Sequence, residues 1–590
     1  MGKEVHKIEL ALLISLFSIH LLLLERYKDN FLEYDVHAVI IITGIVVLLR
    51  LIHLWNDNAT SVFSFDNITA VAFLLVLLIT IHSFLNDLSN RHYIWLTWAC
   101  YTLFIMFKNQ SVETDFVIMS FVISVSVVLM IELFDISFLN YGRFYGGQIN
   151  TGENANYLVT TIPFLFSVTL QYCDKKMGRV YIVLRCIAII GFFVAVYLTV
   201  ISCARIAYFA GFLGIAIVLE SKFQFTKSKK LSYKIFLTKT VICVILILFI
   251  TVVTYISYSS NSDSVKGRFL IYKVSSNMLY SEYKFGIGIQ RFKDVYNNYQ
   301  SEFISKNQPP LSEQLLADDT FFAFNEFLQI GIELGIFGLC LVLIFCILIF
   351  NIRSQNILMV GAKASIISTL ICCLFSYPLR STSVLINIIF FISILVRSSE
   401  VRKYLYSVNI RKFKLLLMIT FIGCGYILTT EYNRIYSLHL WKQAAHLAQE
   451  DRFVEAKPLY QKCYYTLKTN GNFLFNYGSE RYIAGDTIQS LLLLEAAALR
   501  ISHCNLFIYM GNNYNRLRRY NKAEQCYLKS IHMVPSRFLP KHLLFLMYKN
   551  QGQKSNALSM ANEILNFPVK FQSPKIDEYK KISQDYINQF

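Results

Sequence analysis

The chain has 590 residues, of which 55% are apolar and only 16% charged, and its formal net charge at pH 7 is +18. A single hydrophobic core stops growing well below this length, so the apolar content argues against a soluble globular protein. Much of the positive charge lies in short loops between apolar runs, which disfavours a nucleic-acid partner and favours a membrane protein.

Segments of about 17–25 mainly apolar residues can cross a bilayer as helices. The first candidate follows Lys3 and Lys7, as in a signal peptide, but it runs into Glu25 and Arg26 without a small-residue cleavage site, so we interpret it as retained. The fourth and twelfth candidates are short and also fit re-entrant segments. We predict about 12–13 spans, near 8–24, 37–55, 67–85, 93–107, 115–135, 155–172, 180–202, 205–220, 236–258, 326–351, 361–377, 383–397 and 413–430.

Loops rich in Lys and Arg follow the sixth, eighth, tenth and twelfth candidates. Because such loops mark the cytoplasmic side, the N-terminus is expected in the cytoplasm. The loops at 136–154, 203–204, 259–325 and 378–382 then face outward, as does the chain after about residue 430.

Four arginines lie in or beside the outward loops: Arg205, Arg268, Arg291 and Arg380. A guanidinium is always charged and binds phosphate in a bidentate manner, so the group fits a site for a diphosphate leaving group. The alternative interpretation is that each arginine is an interfacial anchor.

A second polar group lies at the outer end of the tenth candidate span: Asn325, Glu326, Gln329 and Glu333. Spacings of three and four residues place the last three on one helical face. This face could position an acceptor or accept its proton, because burial raises a carboxyl pKa. The alternative is a polar seam against a neighbouring helix.

The segment 431–590 is polar and contains an internal repeat, which divides the chain into domains at 1–430 and 431–590. Ala444, Gly478, Gly511 and Phe545 are 34, 33 and 34 residues apart, and twelve residues beyond them lie Ala456, Ser490, Ala523 and Ala557. The pattern resembles the tetratricopeptide repeat, which implies an α-solenoid whose groove binds a protein partner. The expected fold class is all-α, a transmembrane helix bundle followed by this solenoid.

Four segments in chain order resemble the O-antigen ligase and polymerase superfamily. They are Gly152-Glu153-Asn154-Ala155-Asn156-Tyr157-Leu158 at a span entry, Arg205-Ile206-Ala207 at a helix start, Arg268 and Tyr272 with the Gly286-Ile287-Gly288 loop, and Phe324-Asn325-Glu326-Phe327-Leu328-Gln329 leading to Glu333-Leu334-Gly335. The family has histidine where this chain has Phe324.

The resemblance implies metal-independent transfer of a glycan from undecaprenyl diphosphate, without a cofactor, at the periplasmic face of a bacterial inner membrane. Arg205 and Arg268 would hold the diphosphate, and Arg291 and Arg380 are further candidates. Tyr272, Asn325, Gln329 and Glu333 would position the acceptor or the glycan. With Phe324 in place of histidine, the base would be Glu326 or, as second choice, Asp319; otherwise the chain is a subgroup with a different acceptor or an inactive relative.

Several functions stay open on the sequence alone. A ligase would use lipid A–core or a protein Ser/Thr as acceptor, whereas a polymerase would join lipid-linked repeat units. A polysaccharide transporter is less favoured because no paired broken helices are evident. A non-catalytic scaffold is less favoured because an anchor needs far fewer spans. The thirteen cysteines show no CxxC pair or Cys/His spacing, so no zinc site is expected.

Overall fold

The computed structural model describes residues 2–21, 33–56, 62–85, 91–109, 114–138, 151–171, 178–224, 262–397, 406–409 and 414–589. Helices dominate this part of the chain. Up to residue 397 they are α1 (Gly2–Ser15) with a 3₁₀ segment (Leu16–Leu21), α2 (Tyr34–Asn56), α3 (Asn67–Leu85), α4 (Arg91–Lys108), α5 (Thr114–Phe138), α6 (Thr151–Gln171), α7 (Arg179–Ile201), α8 (Arg205–Phe223), α9 (Ser262–Glu282), α10 (Phe292–Asn307), α11 (Leu311–Gln314), α12 (Glu326–Phe350), α13 (Ile357–Cys373), a 3₁₀ turn (Pro378–Arg380) and α14 (Thr382–Arg397).

One short antiparallel strand pair accompanies these helices. Strand β1 (Val62–Phe65) pairs with β2 (Tyr406–Asn409), with Val62 opposite Asn409. The pair joins the segment before α3 to a segment more than three hundred residues later. It is a small departure from the predicted all-α class.

Six helices among the described residues are long and apolar enough to cross a membrane, namely α2, α3, α5, α7, α8 and α12. Helices α13 and α14 are also apolar but shorter. The predicted ninth span at 236–258 lies outside the described residues. The chain is therefore a membrane protein with several apolar helices, and the span count of 12–13 stays a prediction.

A cluster of phenylalanines fills the centre of the helix bundle. The rings of Phe121 and Phe390 stack with centroids 4.7 Å apart, Phe17 meets Phe390 at 4.9 Å, and Phe164 meets Phe391 at 4.9 Å. Such offset and edge contacts are the favoured aromatic geometries. They hold the first 3₁₀ segment, α5 and α6 against α14, and so position the turn at 378–380 that precedes α14.

The predicted outward loop at 259–325 contains three helices, α9, α10 and α11. Leu270, Val274 and Met278 on α9 and Phe292 and Tyr296 on α10 are buried in one apolar cluster. That cluster also includes Ile332 of α12, so the loop helices pack on the beginning of this membrane helix. The loop is therefore folded, and its helices cover one end of α12.

The C-terminal region begins inside a long helix. Helix α15 (Lys414–Gln449) runs without interruption through the predicted domain boundary at 430/431, so the last predicted span continues directly into the C-terminal domain. The helices that follow are α16 (Phe453–Leu467), α17 (Gly471–Ile483), α18 (Thr487–Ala498), α19 (Cys504–Arg516), α20 (Tyr520–Met533), α21 (Phe538–Asn550), α22 (Lys554–Asn566) and α23 (Pro574–Ile587).

These helices pack in consecutive pairs, α17 with α18, α19 with α20 and α21 with α22. The small side chains at the second repeat position are fully buried, as at Ala456, Ser490, Ala523 and Ala557. The Ser490 hydroxyl donates a hydrogen bond to the Gly478 carbonyl at 2.7 Å, across the first of these pairs. Small residues at this position therefore allow close contact between paired helices.

Candidate active site

Two glutamates and one arginine form a buried charged cluster at the end of α12 nearest the loop helices. Glu326 and Glu333 are 1% and 2% exposed. The Arg380 Nη1 donates to Glu333 Oε2 at 3.2 Å, and the Arg380 Nε lies 3.4 Å from Glu326 Oε2. One guanidinium thus lies between two buried carboxyl groups.

The other predicted polar residues of α12 order this cluster. Gln329 donates to Glu333 Oε1 at 3.0 Å and accepts from the Ala323 backbone N–H at 3.0 Å. Asn325 is the N-cap of α12, since its side chain accepts from the Leu328 N–H at 3.0 Å. The spacing-based expectation of one face with Glu326, Gln329 and Glu333 agrees with the structure, in which all three are buried. The Asn325 side chain instead caps the N-terminus of α12.

A glycine crossing fixes the position of Glu333. Helix α12 is broken at Gly335, whose φ is 68° and ψ −172°, and the loop after α9 crosses at this break. There the Gly288 N–H donates to the Glu333 carbonyl at 2.9 Å, and the Ile336 N–H donates to the Tyr283 carbonyl at 2.8 Å. The loop thus pairs with backbone groups that the broken helix leaves unpaired.

Only glycine fits at two positions of this crossing. A Cβ on Gly286, which has φ 75°, would lie 2.6 Å from the Glu333 carbonyl carbon, and a Cβ on Gly335 would lie 2.6 Å from the Lys284 carbonyl oxygen. The predicted Gly-x-Gly loop and the Glu-Leu-Gly segment are therefore two halves of one contact.

Arg268 contacts the residues just before α12. Its guanidinium carbon is 4.9 Å from the centroid of the Phe324 ring, and its Nη1 donates to the Phe375 carbonyl at 3.2 Å. Tyr272, one helical turn away on α9, donates its hydroxyl to the Phe324 carbonyl at 3.1 Å. Burial raises the pKa of Tyr272, and the nearby Arg268 partly offsets that effect. Phe324 thus holds Arg268 by a cation–π contact at the position of the family histidine.

Arg205 and Arg291 begin two other helices of the region. Arg205 is the first residue of α8, where Ala207 is buried with Cys372 at the end of α13, close in sequence to the Phe375 carbonyl that Arg268 contacts. Arg291 precedes α10, and its Cδ would be 2.9 Å from a Cβ on Gly288. Both arginines therefore lie on elements that border the loop–helix crossing or the end of α13.

Two predicted roles change with the geometry. Arg380 is buried between Glu326 and Glu333, so a positioning role fits it better than the predicted diphosphate-binding role. Asp319 is held elsewhere, since it accepts from Arg537 Nη2 at 2.8 Å and from Asn297 Nδ2 at 2.6 Å. Its carboxylate joins the loop to the repeat domain, which makes it a poorer candidate base than Glu326.

An apolar space adjoins the charged cluster. A cavity of about 310 Å³ lies between α3, α4, α12, α13 and α14, and a second of about 240 Å³ adjoins it. Glu326 lines both, and Glu333 and Arg380 line the second. The carboxylates therefore stand at one end of a space bordered mainly by Leu, Ile, Val and Phe side chains.

Three contacts of this site were not anticipated from the sequence. The Leu379 backbone N–H donates to Glu326 Oε1 at 2.9 Å, the Phe375 carbonyl accepts from Arg268, and Tyr93 of α4 lines the second cavity beside Arg380. The Tyr377-Pro378 turn was a signal for the first two. Only the polar run Arg91-His92-Tyr93 at the start of a span marked the third.

Comparison with known proteins agrees with the resemblance of the central region. Residues 144–343 match the family model described as O-antigen ligase, about a third of the chain. The matched stretch contains Arg205, Arg268, Arg291, Glu326 and Glu333, and it ends before Arg380 and the repeat domain. No match was found among curated proteins. The family match supports a relationship of this region to the O-antigen ligase superfamily and a membrane glycan-processing function.

Proposed function

We propose that this protein is a glycosyltransferase of the O-antigen ligase class that moves a glycan from undecaprenyl diphosphate to an acceptor at the periplasmic face of the inner membrane. One observation carries the proposal. Arg268 contacts the ring of Phe324, two residues before the buried Glu326 at the start of α12, and all three residues lie inside the stretch matched by the family model.

The reaction is a substitution at the anomeric carbon of the donor sugar. The acceptor hydroxyl oxygen forms the new bond to this carbon, and the bond from the carbon to the diphosphate oxygen breaks. Undecaprenyl diphosphate leaves with the bonding electron pair, and the acceptor proton passes to a base. Arg268, with Arg205 at the start of α8, stabilises the negative charge that develops on the diphosphate.

Glu326 is the carboxylate best suited to accept the proton. Its Oε1 accepts from the Leu379 N–H, whereas its Oε2 accepts no hydrogen bond among the described residues and faces the Arg380 Nε at 3.4 Å, and the side chain lines the apolar cavity. Glu333 is engaged with Gln329 and Arg380. We assign Glu326 as the base and Glu333, Gln329 and Arg380 as residues that position it.

The apolar cavity next to Glu326 supports a lipid-linked donor. Its lining of Leu, Ile, Val and Phe side chains matches the chemistry of an isoprenoid chain, and burial of such a chain is driven by the hydrophobic effect. A carrier lipid seated there would lie beside Glu326.

The acceptor defines the subclass, for which we favour a ligase with a lipid A–core or protein Ser/Thr acceptor. The C-terminal domain, which we interpret as a periplasmic tetratricopeptide-like solenoid, supports this choice because it adds an extramembrane surface beside the site. Deletion in the source organism separates the alternatives. Loss of all long chains on lipid A indicates a ligase, retention of a single repeat unit indicates a polymerase, and a defect confined to glycoproteins indicates protein glycosylation.

The proposal is tested by Arg268→Ala in a complementation assay of glycan transfer. We expect transfer to be abolished while membrane levels of the protein stay normal, because among the described residues the side chain makes one hydrogen bond and one ring contact. Lys266→Ala is the matched control, since it removes an exposed positive charge from the same helix. Normal transfer by Arg268→Ala would refute the diphosphate clamp.

A further inference from the structure

A polar cavity lies where the membrane domain, the loop and the repeat domain meet. Its volume is about 350 Å³, near the lower end of the range of about 300–1,000 Å³ typical of small-molecule sites. We call it the junction pocket, and the lining residues used below are Glu33, His92, Tyr93, Arg434, Asn472 and Arg500. Arg434 lies on α15, the helix that enters the repeat domain, whereas Asn472 and Arg500 belong to the repeat domain itself.

Three buried nitrogens of the junction pocket have no hydrogen-bond partner in the part of the chain that the structure describes: Arg434 Nε, Arg500 Nε and His92 Nδ1. The two guanidinium nitrogens carry hydrogens and require an acceptor. His92 Nε2 lies 3.1 Å from Glu33 Oε2, and a carboxylate can only accept, so Nε2 carries the hydrogen and the neutral ring presents a lone pair at Nδ1. The pocket therefore offers two buried donors and one buried acceptor to a ligand.

This mixture selects a ligand whose groups both donate and accept hydrogen bonds. A fully ionised anion accepts hydrogen bonds from the arginines but has no hydrogen to donate to His92 Nδ1, and the pocket wall carries the Glu33 and Asp294 carboxylates as well as Lys293. Hydroxyl groups satisfy all of these at once. Unpaired buried polar groups are costly, so a polyhydroxylated ligand is bound through groups that the protein alone leaves unsatisfied.

The junction pocket is next to the proposed active site. Tyr93 lines both the junction pocket and the smaller apolar cavity that Glu326, Glu333 and Arg380 also line. Its hydroxyl donates to Glu33 at 2.9 Å, so its orientation is fixed. A ligand in the junction pocket is thus separated from the charged cluster by one tyrosine side chain.

We propose that the junction pocket binds a saccharide unit of a glycan substrate and that the repeat domain thereby completes the substrate site. This inference rests on the proposed function for its choice of a glycan substrate. Helix α15 then contributes to substrate binding, because this continuous helix places Arg434 and the repeat domain in a fixed position relative to the membrane bundle. The pocket holds a short stretch of glycan, and longer chains extend from it.

The test measures binding of a soluble oligosaccharide to the purified full-length protein by saturation-transfer NMR, with glycan released by mild acid from the lipid-linked pool of the source organism as probe. Asn472→Trp should fill the pocket and weaken binding by at least about tenfold. Asn472→Ala removes only an exposed amide and should weaken binding less. Asn521→Trp, an exposed asparagine of α20, is the matched control and should bind as the unmodified protein does.

The outcomes separate this inference from the proposed function. Weaker binding in both Asn472 variants, with unchanged binding in Asn521→Trp and Arg268→Ala, supports the pocket. Unchanged binding in both Asn472 variants overturns it, even if Arg268→Ala abolishes transfer and so upholds the transferase. If neither the unmodified protein nor any variant transfers glycan, but only the Asn472 variants lose binding, the result supports the pocket and refutes the proposed reaction.

Discussion

Arg380 shows how a single residue can control the site without binding the substrate. Its guanidinium faces Glu326 and Glu333, both almost completely buried. A buried ion pair adds little net stability, but removal of one partner leaves the other charge uncompensated in a medium of low dielectric constant. Here the loss of one cation would expose two carboxylates to each other. Arg380 is therefore needed to keep the charged cluster folded.

We expect Arg380→Ala to destabilise the protein by about 3–5 kcal/mol, seen as a lower unfolding midpoint in detergent. Arg268→Ala should leave the midpoint nearly unchanged, because Arg268 makes its contacts at the edge of the site. Equal midpoints for the two variants would show that Arg380 does not hold the carboxylates together.

At the scale of the element, α12 is defined by its break at Gly335 as much as by its apolar length. The sequence predicted this helix closely, at 326–351 against Glu326–Phe350, because a long apolar run is a local signal. The break was not predictable, since it depends on the loop of Gly286 approaching from a distant part of the chain. The Gly-x-Gly and Glu-Leu-Gly motifs could be found in the sequence, but their contact could not.

Gly286→Ala should lower the free energy of unfolding by about 1–3 kcal/mol or more, because alanine is strained at φ 75° and its Cβ would overlap the Glu333 carbonyl. The matched control is Gly267→Ala on α9, where nothing lies within 4 Å of an added Cβ. That substitution should be neutral or stabilising, since alanine favours a helix interior over glycine. Similar losses in both variants, measured by thermal unfolding, would contradict the crossing.

At the scale of the whole molecule, the repeat domain is fastened to the loop that covers the site. Gln300 of α10 donates to the Met533 carbonyl at 2.7 Å, and Asn297 donates to the Ser502 carbonyl at 3.1 Å. Arg537 adds its ion pair with Asp319. Sequence analysis separated two domains by their composition but could not foresee these contacts, because residues 319 and 537 are 218 positions apart and no local pattern records their pairing.

Arg537→Ala should loosen α10 from the repeat domain, because a hydrogen bond to a charged group contributes about 1.5–3 kcal/mol. Hydrogen exchange of the α10 amides should accelerate, while exchange within α17 and α18 stays the same. Arg516→Ala is the control, because the hydrogen bond and the ring contact of Arg516 are both with Tyr482, which belongs to the same domain. Equal acceleration of hydrogen exchange in α10 by both substitutions would contradict the contact between α10 and the repeat domain.

The central claim is that Glu326 accepts the acceptor proton at a site served by Arg268. Single-turnover transfer by the purified protein in liposomes, with lipid-linked glycan and acceptor supplied, tests it most directly. Glu326→Gln keeps the size of the side chain and its bond from Leu379, so the rate should fall by about 10²–10⁴-fold without loss of folded protein. Glu302→Gln, an exposed acid of α10, should transfer normally. A Glu326→Gln enzyme that transfers glycan at the unmodified rate would contradict the mechanism.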